Sequence, residues 1–480
     1  MTGGLFCLFR TAPEKSSESS TLGNFVMSDT DSGALRTGFR KALARRLFEL
    51  DHPPGDPGQV QRYSEGERVA FEKGYRAAVQ DMFVLVGAGL AGMAFLIVCL
   101  SPPLYQKVRE RVRPWVVRQV ELGRPFVIAV QRFRHPRLDQ IHLLAANSCG
   151  VPFYITMLPF LFWIGELQLA RHTTSFMATI IYIGNAIKDA ISAPRPDWSK
   201  GVSLVRDGAG DGSSTDDMEY GLPSTHTINT LCIWSYILYF YSSSTSFGDG
   251  MSVYWNIARS PWLCMLFGLN IIWCLFIMWG RVYLGMHSPV DIVAGLLIAI
   301  LLLHAYVQVD DFVDAWMTSA TVWVPMYQFA FAVLLCWTYP QGLQKTPSYN
   351  YAVYCTGVCL GVLTGVWRCP QYHNAEAAER LRIVRGSITS WSFAFFAGRR
   401  FFLGLAVVFA VKALTKEILR FIIPAALRLC GIPHSDHEAC KEKSTPIGYN
   451  VLTPIRLLNY AAVSWAVVEP CFHLFEWLQI

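Results

Sequence analysis

Long, nearly uncharged runs recur along this chain, and they restrict its fold more than any other feature. Met82–Leu104, Leu143–Gly165, Thr173–Ile191, Thr227–Tyr241, Pro261–Trp279, Pro289–Val307, Thr321–Thr338, Tyr351–Trp367, Phe401–Ile423 and Asn459–Leu478 are such runs. A helix needs roughly 20 apolar residues to cross a bilayer core, and several runs fall short, so about eight to ten spans are expected. Backbone polar groups in hydrocarbon must satisfy one another, which makes these runs helices. The fold class that follows is all-α, a polytopic membrane helix bundle. Composition agrees, because 52% of the 480 residues are apolar and only 16% are charged, against about 25% charged in an ordinary soluble domain.

The net charge of +6 is spread along the chain without an aromatic-interleaved basic stripe. That pattern excludes a nucleic-acid partner and suits anionic lipid headgroups. Thirteen cysteines lie mostly inside apolar runs with no paired CxxC spacing, which argues against a zinc site or a disulfide framework. His434 and His437 with Cys440 make a weak metal-ligand pattern, read here as loop residues.

Four regions are expected. Residues 1–80 mix Ser, Gly, Pro and both charge signs and read as a soluble, partly disordered tail, with Gly33–Leu50 able to form a basic amphipathic helix. Residues 81–140 hold the first span and a basic interfacial segment, 141–310 the core, and 311–480 further spans. Lys107 to Arg137 is dense in arginine, which by the positive-inside rule places it in the cytosol.

Three polar patches interrupt the core. The elbow Gly280–Asp291 joins two apolar runs and carries Arg281, His287 and Asp291, with Ser288 and Pro289 placed as N-cap and first helical position. The run ending at Ile191 carries Lys188 near its end and then Arg195 between two prolines. An acidic loop, 197–222, leads into Pro223-Ser224-Thr225-His226, where another helix opens beside a histidine. Each patch alone has an ordinary structural explanation: a cap, a snorkelling lysine, an interfacial arginine. In chain order only a loop separates the Lys188 and Arg195 patch from Ser224 and His226, and two spans, out and back, separate Ser224 and His226 from the elbow, so all three reach one membrane face.

Their contents suit phosphoryl transfer. Lys188, Arg195 and Arg281 match a multiply charged anion, arginine through bidentate contacts and lysine as a point charge. Histidine can act as nucleophile or proton donor near neutrality, and a nearby Asp fixes its tautomer. No Asp/Asn cluster suits magnesium, so a metal-free, cofactor-free route through a phosphohistidine is the economical hypothesis.

Lys188 with Arg195-Pro196, Pro223-Ser224-Thr225-His226, and Arg281 with His287 and Asp291 resemble the three-part signature of the type 2 phosphatidic acid phosphatase and haloperoxidase superfamily. Finer features are similar to its sphingosine-1-phosphate, or long-chain base phosphate, phosphatase branch. They include Thr225 where broader members often have Gly, Arg134-His135-Pro136-Arg137-Leu138-Asp139, Phe153-Tyr154 before Leu158-Pro159, and Arg456-Leu457-Leu458-Asn459-Tyr460. The resemblance runs from about residue 130 to the C-terminus. It implies a six-helix phosphatase core, His287 as nucleophile, Asp291 as its partner and His226 as proton donor to the leaving alkoxide. It also implies Lys188, Arg195, Ser224, Thr225 and Arg281 as phosphate ligands, no metal, and a lumenal site in the endoplasmic reticulum membrane. Gly280 departs from the signature, which commonly has Ser there, so a phosphate contact is expected to be missing. The expected reaction is hydrolysis of sphingoid base 1-phosphates. Alternatives are a broader lipid phosphate or polyprenyl diphosphate phosphatase and, from another class, a lipid-phosphate binding or transport protein without turnover.

Overall fold

The computed structural model describes residues 101–205, 219–244, 260–318, 323–368, 391–432 and 451–479. The expected tail, the Gly33–Leu50 helix, most of the Met82–Leu104 span, Asp207 to Asp217 and the His434, His437 and Cys440 group lie outside the described residues. Among the described residues all regular structure is helical.

Helix α1 (Pro102–Gln131) opens on two prolines and buries Val116, Val120, Val127 and Val130 along one stripe. This stripe packs on Ala193, Leu222, Val202, Val282, Tyr283, Leu284 and Met286, residues of the segments that carry the three polar patches. Arg109 donates to the carbonyls of Ala190 and Asp189, and Arg113 to that of Ser192. The basic segment is therefore a helix laid across the site-bearing ends of its neighbours. Its charges are partly consumed by helix-end carbonyls, so they are a poor guide to which compartment the segment faces.

The apolar run Leu143–Gly165 does not form one span. It is divided between α2 (Pro136–Asn147) and α3 (Val151–Trp163), with Ser148-Cys149-Gly150 between them. Pro152 sits at the first turn of α3, where a missing N–H costs nothing, and it discourages continuation of the preceding helix.

Helix α4 (Leu167–Ile191) sits at the middle of the bundle, with Leu169, Phe176, Met177, Ile180 and Ile181 buried against α5 (Thr225–Ser244) and α7 (Pro289–Met317). Polar groups concentrate at its two ends. At the first, Arg171 makes a bidentate ion pair with Asp314 of 2.7 and 2.8 Å. Beside it His172 Nδ1 meets the Tyr236 hydroxyl at 2.6 Å, and that hydroxyl donates to Asp310 at 2.9 Å. These bonds clasp α4, α5 and α7 together. The other end of α4 carries Lys188 and stops at Ser192, in the left-handed region at φ 54°.

Helix α6 (Pro261–Tyr283) precedes the elbow, and α8 (Trp323–Thr338), α9 (Ser348–Arg368), α10 (Trp391–Leu429), α11 (Leu452–Val468) and α12 (Pro470–Trp477) follow α7. Among the described residues four helices, within α6, α7, α9 and α10, are long and apolar enough to cross a membrane by length and composition. Those of α6, α7 and α10 present large apolar side chains outward, including Leu269, Ile272, Leu297, Leu301, Phe402 and Phe409, as a lipid-facing surface requires. Helices α9 and α11 meet through glycines. A Cβ on Gly361 would fall 1.9 Å from the Ala461 carbonyl oxygen, and one on Gly357 2.5 Å from that of Leu457. This is the close backbone approach that small residues at four-residue spacing permit between membrane helices.

Candidate active site

Four helix ends, those of α4, α5, α6 and α7, converge beneath α1. Asp291 is the third residue of α7, and its Oδ2 accepts from the N–H of Ser288 at 2.8 Å and from the Ser288 hydroxyl at 3.0 Å. This reach-back caps the helix and fixes the carboxylate. His287, one residue before the cap, turns its Nδ1 to the same Oδ2 at 3.6 Å. That leaves Nε2 directed away from Asp291. The elbow itself is shaped by Gly285, at φ 72°, where a Cβ would lie 2.6 Å from the Ser203 carbonyl. Trp198 donates to the Gly285 carbonyl, so the segment after Arg195 is stitched to the elbow.

Arg195 follows the left-handed stop of α4 in extended chain, and its guanidinium reaches the Met286 carbonyl at 3.4 Å, immediately before His287. Lys188 Nζ donates to Thr225 Oγ1 at 3.4 Å, joining the end of α4 to the start of α5. The N–H of Ser224 donates to the Asp291 carbonyl at 3.1 Å. Its hydroxyl is buried with no hydrogen-bond partner among the described residues, so Ser224 does not cap α5 through its side chain. Arg281 occupies the last turn of α6. Every residue singled out in the sequence, Lys188, Arg195, Ser224, Thr225, His226, Arg281, His287 and Asp291, thus lies at one end of the bundle.

Electrostatics tie the group together. Lys188 and His287 are each 1% exposed, whereas His226 retains partial exposure. Burial and the charges of Arg281, Arg195 and Lys188 hold the pKa of His287 well below the ordinary imidazole range. An imidazole kept neutral among three cations retains a free lone pair.

One member of the cluster was hidden in the acidic loop. Glu219 Oε2 accepts from Lys188 Nζ at 2.9 Å and lies 3.3 Å from Arg195, whose Nε also donates to the Glu219 main-chain carbonyl. Burial raises its pKa, but the charges of Lys188 and Arg195 outweigh that and leave it lowered. The only sequence signal was position, since Glu219 stands just before Tyr220-Gly221-Leu222-Pro223-Ser224.

The sequence is similar to those of known proteins. Residues 153–313 match the family described as the PAP2 superfamily. A lipid phosphate phosphatase delta of Arabidopsis thaliana is 33% identical over 401 residues, covering 78% of this chain and 91% of that protein. The chain belongs to the PAP2 superfamily. A dihydrosphingosine 1-phosphate phosphatase of Schizosaccharomyces pombe is 25% identical over 339 residues, covering 70% of this chain and 75% of its own. The human sphingosine-1-phosphate phosphatase 2 is 24% identical over 268 residues, 55% of this chain and 61% of that one. No solved structure matches. As a PAP2 superfamily member with phosphatases as its relatives, the chain is a phosphoric monoester hydrolase.

In this PAP2 phosphatase Gly280 lies tightly against α2. A Cβ there would come 2.8 Å from Nδ1 of His142 on α2, so its direction leads into the α2–α6 contact. The His142 ring also stacks on Phe276 at a centroid distance of 4.7 Å.

Proposed function

We propose that this protein is an integral-membrane phosphatase that hydrolyses sphingoid base 1-phosphates to the free base and phosphate, without a metal or other cofactor. The observation that carries the chemistry is the pairing of the buried His287 with Asp291 beside Lys188 and Arg195. His287 Nε2 attacks phosphorus and the P–O ester bond breaks. His226, whose pKa burial and the charges of Arg281, Lys188 and Arg195 hold well below the ordinary imidazole range in the free protein, takes up a proton as the phosphate dianion offsets those charges and gives it to the departing alkoxide. Water, deprotonated by His226, then attacks the phosphohistidine, releasing phosphate and restoring the His287 imidazole. Lys188, Arg195, Arg281, Thr225 and the otherwise unbonded Ser224 hydroxyl hold the phosphoryl oxygens, where most of the catalytic benefit of such a site arises.

The substrate class follows from the relatives named for sphingosine and dihydrosphingosine 1-phosphates and from a site at a helix-bundle end, where a headgroup enters while its chain stays in lipid. The membrane is taken to be that of the endoplasmic reticulum, with the site in the lumen, as the family resemblance implies; the acidic character of the sequence 197–222 and the position of α1 across the site favour the lumenal side. Glycosylation tags inserted after Gly210 test this: modification supports the lumen, and its absence at a tag that is accessible after permeabilisation supports the cytosol.

The functional test is phosphate release by purified full-length protein with EDTA, from sphingoid base phosphates beside phosphatidate, lysophosphatidate and a polyprenyl diphosphate. Preference for the sphingoid bases, abolished by His287→Ala, is expected. Equal turnover of all four classes favours the broader phosphatase, and release unaffected by His287→Ala removes the catalytic assignment.

A further inference from the structure

The cations that await a phosphoryl group already hold a carboxylate of the same chain. Glu219 Oε2 contacts both Lys188 and Arg195, at 2.9 and 3.3 Å, and these two are among the proposed phosphate ligands. A phosphate dianion bound there meets this carboxylate at close range, so the Glu219 side chain has to turn off the cations as the phosphoryl oxygens arrive. Its main chain is not free to follow. The Glu219 carbonyl accepts from Arg195 Nε at 3.1 Å, the Gly221 N–H donates to the Ala193 carbonyl at 3.0 Å, and the Tyr220 hydroxyl accepts from the Gln344 N–H at 2.8 Å. The displaced carboxylate consequently stays within reach of the phosphoryl site.

A buried carboxylate without a cation is costly. A sphingoid base phosphate brings one, an ammonium on the carbon adjacent to the phosphate-bearing carbon, whereas phosphatidate and lysophosphatidate bring none. We propose that Glu219 is a specificity-determining residue that pairs with the ammonium of an amine-bearing phosphate monoester once phosphate has taken Lys188 and Arg195. Whatever the imidazoles carry, Glu219 subtracts one positive charge from the site, and the ammonium restores it. The inference rests on the phosphatase reading above and adds the group by which that site tells amine-bearing lipids from others.

The test compares kcat/KM for sphingosine 1-phosphate and for its N-acetyl derivative, which keeps the chain and phosphate but has no charge on nitrogen. Full-length wild type and Glu219→Gln are used in detergent. Wild type is expected to prefer the free amine by at least tenfold. In the Gln variant that ratio falls by at least tenfold, with loss on the amine substrate and gain on the acetylated one, whose phosphate no longer faces a carboxylate. Because the ratio is read within each preparation, the fraction of folded protein cancels. If the variant cannot be purified, wild type alone decides, and discrimination below twofold overturns the proposal. A Gln variant that speeds both substrates equally also overturns it, showing an internal plug without selectivity. Hydrolysis of neither substrate by wild type removes the underlying functional reading instead.

Discussion

Asp291 Oδ2 accepts two hydrogen bonds from Ser288 and stands 3.6 Å from His287 Nδ1, so the carboxylate oxygen that starts a helix also lies beside an imidazole, just beyond hydrogen-bond reach. Asp291→Asn keeps the shape but offers an amide where the charge stood. The expected result is a fall in kcat of about 10²- to 10⁴-fold, the range for removing the orienting charge of a catalytic histidine, with KM little changed. Steady-state kinetics on micellar substrate check this.

The pH profile follows from the environment of His287. Its pKa lies well below the ordinary 6.5, so in free protein the imidazole stays neutral as pH falls through 6.5 and is protonated only at lower pH. The acid limb of kcat/KM, which reports the free enzyme, is expected below pH 6.5. A limb assigned to His287 and centred at or above 6.5 contradicts the buried cationic surroundings.

Gly280→Ser, which brings the position back to the superfamily's common residue, is expected to harm rather than help. Its Cβ meets the His142 ring at 2.8 Å, and overpacking of this kind costs about 1–3 kcal/mol. A lower melting temperature that recovers in the Gly280→Ser, His142→Ala double variant identifies the clash. An activity gain at unchanged stability argues that position 280 faces the substrate.

Gly361→Val tests the seam between α9 and α11. The new Cβ would fall 1.9 Å from a backbone carbonyl that cannot move aside, so loss of monodisperse folded protein is expected on size-exclusion chromatography. The reaction residues lie elsewhere, so whatever protein remains folded retains its KM.

Asp314→Ala leaves the buried Arg171 guanidinium without its bidentate partner at the end of the bundle opposite Lys188. Stripping one member from a buried pair costs about 3–5 kcal/mol, to be read as a lowered melting temperature. Substituting Arg171 and Asp314 together by apolar residues is expected to cost less.

The sequence carried the helical class and the convergence of the polar patches because both follow from local pattern. Apolar runs of membrane length must be helical, and the count of spans between patches decides which end each one reaches. What it did not carry depends on side-chain direction. Leu143–Gly165 looked continuous because hydropathy is blind to the break that Gly150 and Pro152 impose. Gly280 looked like a lost ligand because nothing in the sequence says that its Cβ direction leads to His142. Glu219 was lost among the other acids of its loop, since only the fold separates one carboxylate seated on Lys188 from those around it. Likewise the arginines of α1 read as a topology signal until their carbonyl partners on α4 were placed.

The central claim is that the His287 imidazole takes up the phosphoryl group. Its most direct test is a rapid quench of the protein during turnover of substrate labelled in the phosphate, at alkaline pH where phosphohistidine survives, followed by peptide mapping. The account predicts label on the peptide that contains His287 and none in His287→Ala. Label on another residue, or turnover undiminished in His287→Ala, would contradict it.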